Sequence, residues 1–143
     1  MKQQVCQKIT FSRDVFGIAH PLIGHFQTEH TIVLLLNTKG GLVKTVQIAS
    51  GLPNVCRFRL KDVMFDASKF GVVATILCHN HPSPYGSEPS EDDIKTTAII
   101  REVWRRQKVL MLDHVIIARD SYFSFFDNKM LPKGFSFYRK SER

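Results

Sequence analysis

The run Ile32-Val-Leu-Leu-Leu36 places five aliphatic residues in a row with no polar alternation. A continuous apolar run of strand length, His30 to Thr38, is what a β-strand covered on both faces requires. Val72 to Cys78 repeats the pattern. Such strands need helical layers on either side, and the remaining segments supply them. Lys39-Gly-Gly41 predicts a tight turn from the first strand into a second, Leu42 to Ile48, and thus a hairpin. Val15 to Ala19 predicts a short helix ending near Pro21, because proline lacks an amide donor. Gly51 to Asn54 reads as a loop. Leu60, Val63, Met64, Ala67 and Phe70 recur at helical spacing before Gly71, a good C-terminal stop. A longer helix is expected from Ser90 to about Gln107, with Ile94, Ala98, Ile99, Val103 and Trp104 inward. Val109 to Ala118 and Tyr122 to Phe126 read as strands joined at Arg119-Asp-Ser121. The expected class is α/β: a single mixed sheet flanked by helices.

Composition narrows the function. The chain has 143 residues, the size of one ordinary domain. No apolar run approaches the roughly 18–20 residues that span a bilayer, so no membrane partner is expected. Met1 to Lys8 has no apolar signal-peptide core. Cys6, Cys56 and Cys78 are few, scattered and odd in number, which predicts reduced thiols and a cytoplasmic location. The net charge is +7, from 20 basic and 13 acidic residues. Glu88, Glu91, Asp92 and Asp93 crowd into one short stretch, so the rest of the chain is more basic still. A basic surface attracts polyanions, nucleic acid above all. It also simply keeps a protein soluble, and no nucleic-acid recognition module accompanies it.

The chemistry is concentrated in Cys78-His-Asn-His-Pro82 and the turn-rich loop after it. Side chains alternate along a strand, so His79 and His81 point the same way and converge on one ion, with Cys78 and Asn80 facing away. Ser90-x-x-Asp93 has the spacing of a capping box at a helix start, where the helix dipole favours a carboxylate. The loop between His81 and Ser90 is long enough to fold back and bring Asp93 to the imidazoles as a third ligand. Two histidines and one carboxylate leave a position for water, the pattern of catalytic zinc. Glu29, just ahead of the first buried strand, is the candidate proton acceptor.

The order Glu29, His79-x-His81-Pro82, Ser90-x-x-Asp93 resembles the JAB/MPN (JAMM) metalloprotease superfamily. Glu29 to Lys39, His79-Asn-His-Pro-Ser83, Pro89 to Ile94, Leu112-Asp-His-Val-Ile-Ile117 and Tyr122-Phe-Ser124 are similar to the RadC family within it. The resemblance runs from about Glu29 to Leu131. It implies a cytidine deaminase-like architecture, Zn²⁺ held by His79, His81 and Asp93, and a peptidase or isopeptidase reaction on a peptide or isopeptide substrate. Glu29 would take the proton of the attacking water and pass it to the leaving amine. Ser90 would help hold the oxyanion. The alternative is a RadC-like, DNA-repair-associated or nucleic-acid-binding protein that uses its basic surface and has little or no hydrolase activity.

Two departures from the family stand out. Residues 82–89 put eight residues between His81 and Ser90, where seven are usual, so the adjacent Asp92 competes with Asp93 for the ligand position. Larger RadC members carry a helix-hairpin-helix region ahead of this domain, and the 28 residues before Glu29 are too few for one. The expected organisation is an N-terminal extension (1–28), the metal-binding domain (29–131) and a basic, aromatic tail (132–143) that packs loosely if at all. Asp113 and His114 alternate faces in a strand; the favoured reading is a buried strand-end pair with a local hydrogen bond, the other a partner that orients a ligand imidazole. His20, His25 and His30 read as ordinary residues, and Phe123, Phe125 and Phe126 as packing. The zinc deaminase signature and a His-Glu-x-x-His helix are both missing from the sequence. Oligomeric state is left open.

Overall fold

The computed structural model describes residues 7–48 and 71–141. A five-stranded sheet in the order β2-β1-β3-β4-β5 forms its centre. The strands are β1 (Thr31–Asn37), β2 (Leu42–Ile48), β3 (Val72–Asn80), β4 (Leu110–Ile117) and β5 (Tyr122–Ser124). Only β3 and β4 run parallel; the other neighbouring pairs are antiparallel, so the sheet is mixed. Parallel neighbours need a crossover, and helix α2 (Glu91–Arg106) lies on it. The expected class holds: α/β, one mixed sheet, helices on both faces.

The two faces carry separate cores. Val33, Leu35 and Leu77 pack with Ile100 and Trp104 of α2. Ile32, Leu34 and Ile76 pack with Val15, Ala19 and Ile23 of helix α1 (Ser12–Ile23). Every residue of β1 from Thr31 to Leu36 is buried, which is why that run carries no alternation. Burying a Leu or Ile side chain contributes about 1.5–3 kcal/mol, so this strand is a main anchor of the fold. Its turn is set by Gly40, at φ +81°, where a Cβ would sit 2.6 Å from Phe137.

Several expectations need correction. Helix α1 ends at Ile23, near Pro21 as expected, but it begins at Ser12 and takes the proline into its last turn. Val15, Ala19 and Ile23 recur every four residues on the buried side, and Gly24 N–H closes the end on the His20 carbonyl at 2.8 Å; packing outweighs one lost amide donor. In α2, Trp104 is buried, but Ile94, Ala98, Ile99 and Val103 are exposed. The buried stripe is Asp93, Thr97, Ile100 and Trp104. At roughly 100° per residue these four share one side of the helix, and it is the polar first turn that fixes the rotation. The C-terminal segment is not loose: Tyr138 is 2% exposed, Arg139 N–H donates to the Thr10 carbonyl at 2.8 Å, and Ser141 N–H to Asp127 Oδ1 at 3.0 Å. The expected loop at Gly51–Asn54 and helix at Leu60–Phe70 lie outside the described residues.

Candidate metal centre

Strand β3 continues two residues beyond its apolar run, so His79 is part of the sheet and His81 follows directly. Both rings lie on the α2 side, with centroids 5.0 Å apart. Cys78 is buried in the opposite, α1-side core as a free thiol, on the face that strand alternation predicts for it. The site therefore sits at the carboxyl end of a parallel strand and the start of the following helix, a place where α/β sheets commonly open to ligands.

Helix α2 brings the carboxylate. Asp93 N–H donates to Ser90 Oγ at 3.0 Å, and Ser90 N–H donates to Asp93 Oδ2 at 2.9 Å. This is the expected capping box. The same carboxylate faces both histidines: Oδ2 is 3.0 Å from His81 Nε2 and Oδ1 is 3.5 Å from His79 Nε2. Asp92 is exposed, whereas Asp93 is buried, so the carboxylate beside the imidazoles is that of Asp93. The loop at 82–89 does fold back, and its Gly86 carbonyl lies 2.8 Å from His81 Nδ1. A carbonyl only accepts, so Nδ1 carries a proton, and Nε2 is the nitrogen turned to Asp93.

Glu29 reaches the same place from the segment just before β1, whose Thr31 pairs with His79. One of its carboxylate oxygens and one ring nitrogen each from His79 and His81 all lie within 4.8 Å of one another. What holds Glu29 there is Asn80, the residue between the two histidines. Its Oδ1 accepts from His30 N–H at 2.5 Å, and its Nδ2 donates to the carbonyl of Thr28 at 3.0 Å and of Phe26 at 3.4 Å. Facing away from the site, Asn80 pins the loop that carries the acid.

His79 is the most constrained member. Its Nδ1 is 2.7 Å from His114 Nε2, and His114 Nδ1 is 2.6 Å from Thr97 Oγ1. The opposite nitrogen, His79 Nε2, is buried and has no hydrogen-bond partner. A buried polar atom left unpaired costs about 1–3 kcal/mol, and nearly all such atoms in folded proteins find partners. A cation among two imidazoles and a carboxylate removes that cost. Nitrogen and oxygen donors of this mixture suit first-row divalent ions, so the residues fit a metal.

The electrostatics agree. The Asp93 side chain hydrogen-bonded to His81 raises that imidazole's pKa above its ordinary value, against burial. Burial pushes the Asp93 carboxyl up, but His79, His81 and the Ser90 N–H together outweigh it and hold the group well below the usual carboxylate range. Burial drives His114 well below the ordinary imidazole value. The centre thus contains an ionised carboxylate and a neutral buried histidine behind one of its imidazoles.

Comparison with known proteins decides the family. The model of the RadC-like JAB domain matches residues 9–130. The chain belongs to this family. It is also similar to the UPF0758 protein of Chlorobium luteolum, 34% identical over 125 residues, covering 87% of this chain and 56% of the relative. The UPF0758 protein of Chlorobium phaeovibrioides is 32% identical over 130 residues, 91% of this chain and 58% of its own length. That of Flavobacterium johnsoniae is 35% identical over 121 residues, 85% and 52% respectively. The chain spans somewhat over half the length of these curated relatives. The RadC-like match begins at residue 9 and so takes in helix α1, which the Glu29-to-Leu131 resemblance left out. No helix of the described residues is long and apolar enough to cross a membrane.

Among the expected site residues of this RadC-like domain, the structure brings Glu29, His79, His81 and Asp93 together, with Ser90 capping the helix beside them. The sequence reading gave Asn80 no part beyond facing away, and gave Thr97 none. The signal for Thr97 was present: it stands one helical turn after Asp93 and shares its face. The alternation of Asp113 and His114 resolves with His114 turned to His79.

Proposed function

We propose that this domain is a zinc-dependent hydrolase that cleaves an amide bond in a peptide or isopeptide. His79, His81 and Asp93 hold the metal, Glu29 moves protons, and Ser90 stabilises the oxyanion. The observation that carries this reading is the unpaired, buried Nε2 of His79, set beside the Asp93 carboxylate that also meets His81. Zinc held by His79, His81 and Asp93 would supply a water of lowered pKa, towards about 7, and would polarise a carbonyl.

The chain's own groups supply the rest. Glu29 is exposed and within reach of both imidazoles. Its carboxylate takes a proton from the attacking water and returns it to the leaving nitrogen. Ser90 Oγ accepts from Asp93 N–H, which leaves its own proton free for the oxygen on which charge develops. The free, buried thiol of Cys78 supports the reading of a reducing, cytoplasmic setting.

Metal content of protein purified without added zinc tests the ligands. About one zinc per chain is expected, lost in His79→Ala, His81→Ala and Asp93→Ala. Cleavage of a quenched peptide library and of an isopeptide-linked substrate, abolished by Glu29→Gln with zinc retained, tests the reaction. The net charge of +7 supports a second reading as a nucleic-acid binder. Salt-dependent DNA affinity, with amide cleavage absent from wild type and Glu29→Gln alike, would favour it.

A further inference from the structure

The hydrogen bonds behind His79 form a chain whose proton positions follow from the chemistry of its ends. Thr97 Oγ1 lies 2.6 Å from the Asp93 carbonyl and 2.6 Å from His114 Nδ1. The carbonyl has no proton to give, so the single hydroxyl proton of Thr97 goes to it. The hydroxyl oxygen must then accept from His114, which places a proton on His114 Nδ1. A neutral His114 is left with a bare Nε2, and that nitrogen accepts from His79 Nδ1–H at 2.7 Å. His79 therefore keeps its lone pair on Nε2, the atom that faces Asp93 and has no hydrogen-bond partner. Phe125 stacks on His114 at 4.7 Å between centroids, with 17° between planes, and fixes that ring's orientation.

The chain closes on itself. Asp93 contributes its side chain to the site and its main-chain carbonyl to the start of the relay. The helix-borne carboxylate and the strand-borne imidazole are thus tied together behind the site as well as across it. We propose that Thr97 and His114 are positioning residues that set the His79 tautomer and lock its ring to the first turn of α2, so that a metal ion finds its nitrogen ligand already prepared. The proposal rests on the metal-binding reading of the site. It adds two residues that touch neither metal nor substrate.

Thr97→Val keeps the shape of the side chain and removes the hydroxyl; Thr97→Ser keeps the hydroxyl. Zinc affinity is measured by chelator competition on the full chain, and ring ¹⁵N spectra are recorded on the metal-free protein. Loss of an outer partner typically weakens metal binding about 10–100-fold. That loss is expected for Thr97→Val and His114→Phe, with affinity restored in Thr97→Ser and the valine variant still unfolding in one cooperative transition. In metal-free wild type, His79 and His114 should both carry their proton on Nδ1, and the valine variant should lose this pattern at His114. Equal zinc affinity in the valine and serine variants, or a wild-type His79 protonated on Nε2, overturns the relay. If wild type takes up no zinc, the hydrolase reading falls instead, and the ring spectra alone decide the relay.

Discussion

Asp113 and His114 are neighbours on β4, both fully buried, yet they belong to two polar clusters of opposite character. Asp113 lies on the α1 side. It accepts from Ser124 Oγ at 2.6 Å, Tyr138 OH at 2.5 Å, Phe126 N–H at 2.9 Å and His114 N–H at 2.7 Å. Burial pushes its carboxyl up to about 7 against those four donors. Every donor in that cluster is answered. His114 lies on the α2 side, in a chain that ends at the unpartnered Nε2 of His79. The closed cluster holds the C-terminal segment to the sheet. The open one has a free coordination direction. Between two equally buried polar groups, the one with an unanswered atom is the functional candidate.

The sharpest way to break that contrast is at Asp113. Asp113→Ala leaves four buried donors without their acceptor, and since each unpaired donor costs about 1–3 kcal/mol, a loss of several kcal/mol is expected. Urea unfolding of the metal-free protein should show a loss of that size. His79→Ala, which leaves one buried partner unpaired (His114 Nε2) against four at Asp113, should cost less than Asp113→Ala in the same assay while abolishing zinc uptake. A larger loss for His79→Ala would mean that the open cluster also carries the fold.

How much of this was legible in the sequence follows the same division. Unbroken aliphatic runs disclosed β1 and β3, because a strand buried on both faces has no alternation to hide. His79-x-His81 and Ser90-x-x-Asp93 disclosed the site, because strand period and helix cap each fix where a side chain points. The rotation of α2 was not legible: Ile94, Ile99 and Val103 suggested one buried stripe, but Asp93 and Thr97 turn inward with Ile100 and Trp104. The face of His114 was not legible either. Thr75 pairs with Met111, but Ile76 pairs with Asp113, so Leu112 is an extra residue in β4. Such a bulge resets the alternation and delivers His114 to His79. Nothing local in Leu112-Asp-His114 announces that shift.

Zinc sharpens the comparison from the other side. A ligand that binds only the folded state at 100 times its Kd stabilises by about 2.7 kcal/mol. Saturating zinc should raise the unfolding midpoint of wild type and of Tyr138→Phe equally, because Tyr138 belongs to the closed cluster. Asp93→Ala should show no such gain. Tyr138→Phe itself removes one donor to a buried carboxylate and should cost about 1.5–3 kcal/mol with zinc affinity unchanged. Altered zinc affinity in that variant would show that the two clusters communicate through β4.

The smallest effect is in pH dependence. Hydrogen bonding to Asp93 raises the His81 pKa, so the metal-free protein favours the imidazolium. That contribution to stability is fully present below the unfolded value near 6.5 and is lost as pH rises through the raised folded pKa. Metal binding needs the neutral ring and runs the other way. Zinc affinity should fall about tenfold per pH unit below the folded pKa of His81, where one proton is displaced per ion. Proton titration of His81 by NMR in metal-free Asp93→Asn should return its pKa towards 6.5. If it does not move, Asp93 is not the group that holds the proton, and the competition between proton and metal must be assigned to another neighbour of the ring.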